Sequence, residues 1–252
     1  METVAACLLG LTTAGYPALA GAGLGLGMLL RFLGRTPAER RRVLGRTAAR
    51  QRAHDVWLLA AAAFLSCGFP SLAAGLVAGL WPPLALLTAG TLARYAGYRA
   101  RAVDAVLAGS WAAATGWAWL LASFLSRDPL RPGTGAAAAL TAVAVLLLFV
   151  THGTAYAALR LTGEPFQRAR QFAGRQAGRR SLPLSAAVLA ALPPLSGARL
   201  PLAEHAAAAP VLGVLIPLVP AVSWWLWRRA LRGTGGARWP DGDRSGPLND
   251  YR

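Results

Sequence analysis

"RFLGRTPAERRRVLGRTAARQRAHDVWLL", residues 31–59, sets eight arginines between two apolar stretches and then resumes with His54, Asp55 and Trp57. Residues 4–30 before it and 55–73 after it are each of a length to cross a bilayer, which takes roughly 20 apolar residues in helical conformation. The basic stretch therefore reads as a connector between two membrane spans, and that reading decides the fold class.

The same alternation continues along the chain. Apolar stretches of spanning length fall at 4–30, 55–73, 75–93, 103–125, 136–159, 182–198 and 207–227, the sixth being short and interrupted by Pro193 and Pro194. Helices follow, because an open chain in lipid must satisfy its backbone groups within each segment, and no alternating barrel pattern is present. The expected fold is all-α, a polytopic integral membrane bundle of about seven transmembrane helices occupying residues 1–232. Residues 233–252 are rich in Gly, Asp and Arg without periodicity, and are expected to form a disordered cytoplasmic tail. The first apolar run lacks a basic start and continues to about Leu30, so it reads as a retained helix and not as a cleaved leader.

Composition agrees. Of 252 residues, 55% are hydrophobic and 14% charged, with a mean hydropathy of +0.43, too apolar for an ordinary soluble domain. The net charge of +16 comes from 26 arginines without a lysine. A nucleic-acid partner would need those charges on one face of a soluble fold. Here they sit between apolar runs, so no nucleic acid is expected.

Arginine placement sets the orientation. The connectors around 31–52, 94–101 and 160–180 and the segment after the last span are arginine-rich, whereas the alternate connectors hold only Arg127, Arg131 and Arg199. By the positive-inside rule the amino terminus lies outside and the carboxyl terminus in the cytoplasm, for a multi-pass protein of the cell membrane. The basic connector could also touch anionic lipid. Small-residue runs such as "GAGLGLG" (21–27) and "AAATG" (112–116) predict close helix approach. Trp57, Trp81, Trp119, Trp224, Trp225 and Trp227 fall near predicted span ends, as an aromatic belt would.

Few groups could carry chemistry. Cys7 and Cys67 lie inside apolar runs without metal-ligand spacing, so no metal site is expected. Asp55 and Asp104 fall at the predicted starts of spans two and four, where a carboxylate also favours the positive end of a helix dipole. His152 lies well inside the fifth span, where an imidazole can hydrogen-bond a neighbouring helix, hold a haem or quinone, or relay protons. With no second ligand in an obvious partner span, the interhelical hydrogen bond is favoured.

"GLGMLLRFLGRTPAERRRVLGRTA" (25–48), followed by "VWLL" (56–59), resembles the first loop of subunit II of the cytochrome bd-type quinol oxidases. "HGTAYAALRLTGEPFQRAR" (152–170) is similar to that family's His-Gly, Tyr, Arg, Gly-Glu and Arg-x-Arg series. Weaker echoes are "FP" (69–70), "ARYAGYR" (93–99), "LAGS" (107–110) and "WWLWRRALRG" (224–233), in the same order. The resemblance implies a membrane subunit that pairs with a haem-bearing subunit I, where quinol is oxidised and oxygen reduced. It implies no haem held by this chain, a bound quinone in some members, and part of a proton route. His54, Asp55 and Asp104 are the candidate proton-path residues, and His152, Arg160 and Glu164 the candidate interhelical or quinone contacts.

Departures accompany the match. Two aspartates expected ahead of the Gly-Met-Leu run are replaced by Ala20 and Gly23, and a His-Trp-Asp-Gly step by Arg50–Ala53. A guanidinium does not deprotonate near neutral pH, so Arg52 cannot relay protons as a carboxylate would. The family leads one to expect eight spans, one more than counted. Besides an oxidase subunit, a diverged paralogue with a structural or regulatory role and a small transporter are open readings. The transporter lacks a matched pair of broken spans.

Overall fold

The computed structural model describes residues 2–174, 177–198, 200, 218, 221–222, 224–225 and 228. All regular structure among them is helical: α1 (Glu2–Met28), α2 (Leu30–Leu33), α3 (Pro37–Gly68), α4 (Pro70–Gly79), α5 (Trp81–Ala100), α6 (Val103–Phe124), α7 (Ala136–Arg160), α8 (Glu164–Ala173) and α9 (Ala177–Gly197). The core is built around α1, which packs against α3, α6, α7 and α9, while α5 packs chiefly on α6.

Small residues decide these contacts, as the sequence predicts. A Cβ on Gly153 would overlap the α1 backbone at Gly25, and one on Gly25 would overlap the Phe149 carbonyl, so α1 and α7 cross with main chains touching. Along the α5–α6 hairpin, Gly90 and Gly97 face α6 while Gly109 and Gly116 face α5, each pair seven residues apart. A Cβ on Gly116 would lie 2.6 Å from Leu87 N, and one on Gly109 2.7 Å from Arg94 N. Lipid supplies no hydrophobic drive for helix association, so dispersion at such short range holds the bundle. The hairpin turns at Arg101, in the left-handed region at φ 56°, with Ala102 N–H donating to Gly97 C=O at 2.9 Å.

The basic connector is not a loop. Only residues 34–36 are non-helical, and α3 runs unbroken from Pro37 through the arginines to Gly68. Thr36 begins it with a capping box: Glu39 N–H donates to Thr36 Oγ1 at 3.2 Å while the Glu39 carboxylate accepts from Thr36 N–H at 3.2 Å. Pro37 fits the first turn, where its missing N–H is no loss. Alanine and arginine, both good helix formers, carry the helix onward.

Among the described residues three helices are long and apolar enough to cross a membrane: Ala6–Met28, Val103–Phe124 and Ala136–Arg160. They coincide with the first, fourth and fifth predicted spans. The second and third do not keep their expected bounds. Apolar helix continues only to Gly68, then bends by 117° into α4, and counting that bent pair as one span gives at most four. Pro70 explains the break, because its ring excludes the helical conformation at Phe69, which sits at φ −141°, ψ 64°. Among the described residues three or four spans thus meet that measure, against seven expected over the whole chain. α5 is 20 residues long but carries Arg94 and Arg99 within it, and α9 contains three prolines. Pro193 and Pro194 do not end α9, which continues to Gly197. The predicted span at 207–227 and the tail at 233–252 lie outside the described residues apart from isolated helical positions.

Arginine-rich segments do gather at one end of the bundle. Arg31 of α2 bridges Asp104 of α6 at 2.6 Å, and Arg168 of α8 reaches the Leu33 carbonyl at 2.7 Å. At the other end Leu130 rests on Gly75 and Gly79 of α4, and Trp119 Nε1 donates to Gly133 C=O at 3.0 Å. Two tryptophans expected in an aromatic belt turn inward: Trp119 through that bond, and Trp57 by laying its ring on Gly15. Trp81, Trp224 and Trp225 are exposed.

Candidate functional site

The helical course of the connector moves Asp55 away from where the sequence reading put it. α3 returns antiparallel along α1, so that Trp57 meets Gly15. His54 and Asp55, both half-buried, therefore lie level with the middle of α1 and not at its arginine-rich end. Asp55 is 18 residues into α3, roughly 27 Å along the axis from Pro37 at 1.5 Å per residue.

At that level the interior is polar. Tyr16 of α1 is fully buried and stacks on Trp117 of α6, with ring centroids 5.6 Å apart and an interplanar angle of 27°. Its hydroxyl lies beside Thr91 and Arg94 of α5, and Asp55 is close enough to act on it electrostatically. Neither the Tyr16 hydroxyl nor Trp117 Nε1 has a hydrogen-bond partner of good geometry among the described residues. Arg94 is only 1% exposed, and Gly109 leaves the room its stem needs. A guanidinium so placed is costly in a membrane bundle, which makes this interior a candidate site.

Sequence reading assigned Arg94 to a basic connector, because a charge six residues before the end of a helix looks like a flanking charge. The signal that could have found it was spacing: Gly90, Arg94 and Gly97 fall on one helical face. Tyr16, one residue before Pro17, carried no comparable signal.

His152 occupies a second interior position, 2% exposed. Its Nδ1 lies 2.7 Å from Ser185 Oγ of α9 and its Nε2 3.1 Å from the Ala18 carbonyl of α1, so one ring joins three helices. A carbonyl can only accept, so Nε2 carries the proton in the neutral ring, and Nδ1 shares the one Ser185 hydroxyl proton with the Ser181 carbonyl, which lies 2.6 Å from the same oxygen. With both nitrogens engaged, this imidazole does not fit the axial-ligand role in a haem site. Among the described residues no cluster of three or more His, Cys, Asp or Glu side chains could hold a metal ion.

Arg160 and Glu164 are not brought to His152. Arg160 ends α7 two turns further on, exposed, and Glu164 begins α8 with its side chain 69% exposed, 3.5 Å from Arg168. Asp104 lies in the first turn of α6, its side chain 73% exposed and paired with Arg31.

What organises the arginine-rich end is a pair the sequence reading did not single out. Arg168 Nη1 donates to Glu39 Oε2 at 2.7 Å and Nη2 to Oε1 at 3.3 Å, with both side chains largely enclosed. The hydrogen bond from Arg168, assisted by Thr36 and Arg35 N–H, holds the Glu39 carboxyl down at about 2. Glu39 in turn raises Arg168. The signal that could have found Glu39 was the Thr-Pro-Ala-Glu spacing of a capping box. No local spacing points to its partner 129 residues away.

Residues 1–240 match the family model described as cytochrome bd terminal oxidase subunit II. The chain is also similar to cytochrome bd-I ubiquinol oxidase subunit 2 of Escherichia coli (strain K12) and of Escherichia coli O157:H7. In each case it is 32% identical over 91 residues, 36% of this chain and 24% of the relative. The chain thus spans about a quarter of the length of the curated relatives it matches.

Proposed function

The chain belongs to the cytochrome bd terminal oxidase subunit II family, and from that premise we propose that it is the membrane companion of a haem-bearing subunit I in a bd-type terminal quinol oxidase. In this reading quinol oxidation and oxygen reduction take place mainly in the partner, which holds the haems. The chain sits in the cytoplasmic membrane with its arginine-rich end toward the cytoplasm, as the gathering of basic segments at one end supports.

The observation that carries the reading is the shared pattern over residues 1–240, supported by the proton-bearing groups Asp55 and Tyr16 close together inside the bundle. Asp55, close to Tyr16, which lies beside the buried Arg94, forms with the adjacent His54 this chain's contribution to a proton route. They stand in for the carboxylates replaced by Ala20, Gly23 and Arg52. A carboxylate near neutral pH accepts and releases a proton, whereas a guanidinium does not. Asp104, exposed and paired at the end of the bundle, serves as an entrance. A quinone bound by this chain would find donors for its carbonyl oxygens in the Tyr16 hydroxyl and Trp117 indole, deeper than Arg160 and Glu164.

The test is purification of the chain with its neighbour subunit and measurement of quinol-dependent oxygen consumption. A haem-bearing subunit should co-purify, and Asp55→Asn should slow turnover at least tenfold while haem content is unchanged, general acid–base groups being worth that much or more. A colourless preparation without a second subunit would sink the proposal. Unchanged turnover in Asp55→Asn would remove that residue from the route.

A further inference from the structure

His152 joins three helices through contacts that compete for too few protons. Its Nε2 lies 3.1 Å from the Ala18 carbonyl and its Nδ1 2.7 Å from Ser185 Oγ, which in turn lies 2.6 Å from the Ser181 carbonyl and 3.1 Å from that of Leu182. The groups at both ends of this series are carbonyls, which accept and never donate. Linking ring, hydroxyl and carbonyls therefore takes two ring protons and the Ser185 hydroxyl proton. A neutral imidazole is one proton short, so one close contact sets lone pair against lone pair. An imidazolium completes the series, with Nε2–H donating to Ala18, Nδ1–H to Ser185 and the Ser185 hydroxyl to Ser181.

Two opposing costs act on this ring. At 2% exposure it takes on charge only against desolvation, and when neutral it leaves a buried contact unmade. Costs that oppose each other leave a histidine able to exchange its proton within the range where imidazole ordinarily titrates. The other ionisable groups on the surrounding helices stand elsewhere. The Tyr16 hydroxyl of α1 lies beside Thr91 and Arg94 of α5, Tyr156 and Arg160 stand one and two turns further along α7, and Arg180 is exposed near the start of α9. Asp104 of α6 pairs with Arg31, Glu164 of α8 with Arg168, and Arg170 lies over the Phe166 ring.

A proton can reach the ring from one side. Ser181 Oγ is buried and has no hydrogen-bond partner among the described residues. It lies one turn nearer the start of α9, where Arg180 is exposed. On the opposite side the Ala18 carbonyl has no proton to hand on. We propose that His152, Ser185 and Ser181 form a proton-binding site fed from the arginine-rich end, whose charged form ties α1, α7 and α9 together. Ser185 passes its hydroxyl proton to Nδ1, forming the second N–H bond, and is reprotonated by hydronium at Ser181 Oγ, which leaves as water. With no onward path, the ring stores the proton until it returns by the same route. The site is separate from Asp55 and does not depend on the oxidase reading.

The full chain, with any subunit that accompanies it, is produced with isotope-labelled histidine and reconstituted in lipid. Its imidazole nitrogens are followed by solid-state NMR between about pH 5 and 8, and the His152 signal is assigned by its loss in His152→Gln. The signal should pass from the neutral ring to the doubly protonated one within that range. Ser185→Ala removes the acceptor for Nδ1–H and should hold the ring neutral throughout, whereas Ser185→Thr keeps the hydroxyl and should titrate like the native chain, which separates loss of the bond from misfolding. Ser181→Ala should leave both end states unchanged and slow their exchange after a pH jump at least tenfold, as removal of a proton-transfer group does. A native ring that stays neutral, or stays charged, across the range overturns the proposal. So does titration that survives in Ser185→Ala, and an unchanged exchange rate in Ser181→Ala overturns the feeding route.

Discussion

Arg168 grips Glu39 through both carboxylate oxygens, at 2.7 and 3.3 Å, and donates with the same Nη1 to the Leu33 carbonyl at 2.7 Å. One guanidinium thereby fixes α8 to the three-residue turn that joins α2 to α3. Paired, bidentate and largely enclosed, this contact differs in kind from the exposed ion pairs elsewhere.

Glu39 makes that end of the bundle sensitive to acid. Its carboxyl is held at about 2, below the ordinary 4.5, by the hydrogen bond from Arg168. A depressed folded-state value means the contribution is complete above about 4.5 and disappears as pH falls toward about 2. Thermal midpoints in detergent across that window should fall steeply for the native chain. Glu39→Gln should start lower near neutrality and show a shallower acid slope. A parallel slope in the variant would mean other carboxylates govern acid sensitivity.

Gly25 and Gly10 lie on the same helix and should respond oppositely to alanine. A methyl on Gly25 meets α7 backbone, which cannot yield, whereas nothing lies within 4 Å of one on Gly10. Gly25→Ala should destabilise by about 1–3 kcal/mol or prevent folding. Gly10→Ala should be neutral or stabilising by up to about 1 kcal/mol. Denaturation in mixed micelles, with both variants compared to the native chain, decides it.

His152 and Ser185 should behave as one unit. Each single alanine variant breaks the same bond between α7 and α9, and interhelical hydrogen bonds in membranes are worth roughly 1 kcal/mol. The double variant should therefore cost less than the sum of the singles by about that amount. Strict additivity in the cycle would show the contact contributes nothing.

Arg31 and Asp104, although only 2.6 Å apart, have side chains 60% and 73% exposed. Their pairing should contribute under about 1 kcal/mol and weaken with added salt. Asp104→Asn should leave the thermal midpoint nearly unchanged, so any slowing of oxygen consumption in that variant reports on the carboxylate and not on folding.

The lengths of the apolar stretches, the arginine asymmetry and the glycine runs were legible without coordinates, because bilayer thickness, head-group charge and close helix approach act on local composition. They determined an all-helical membrane bundle, its three clearest spans and the gathering of charge at one end. Only tertiary structure decided that the basic connector is helix returning along α1, which moves Asp55 to mid-bundle. Tertiary contacts likewise decided that Arg94 is a buried charge beside Tyr16, and that Arg168 finds Glu39 from 129 residues away. Those facts depend on which face of each helix meets which neighbour. Helix rotation and crossing are set by contacts between segments distant in the chain, and no local pattern encodes the partner.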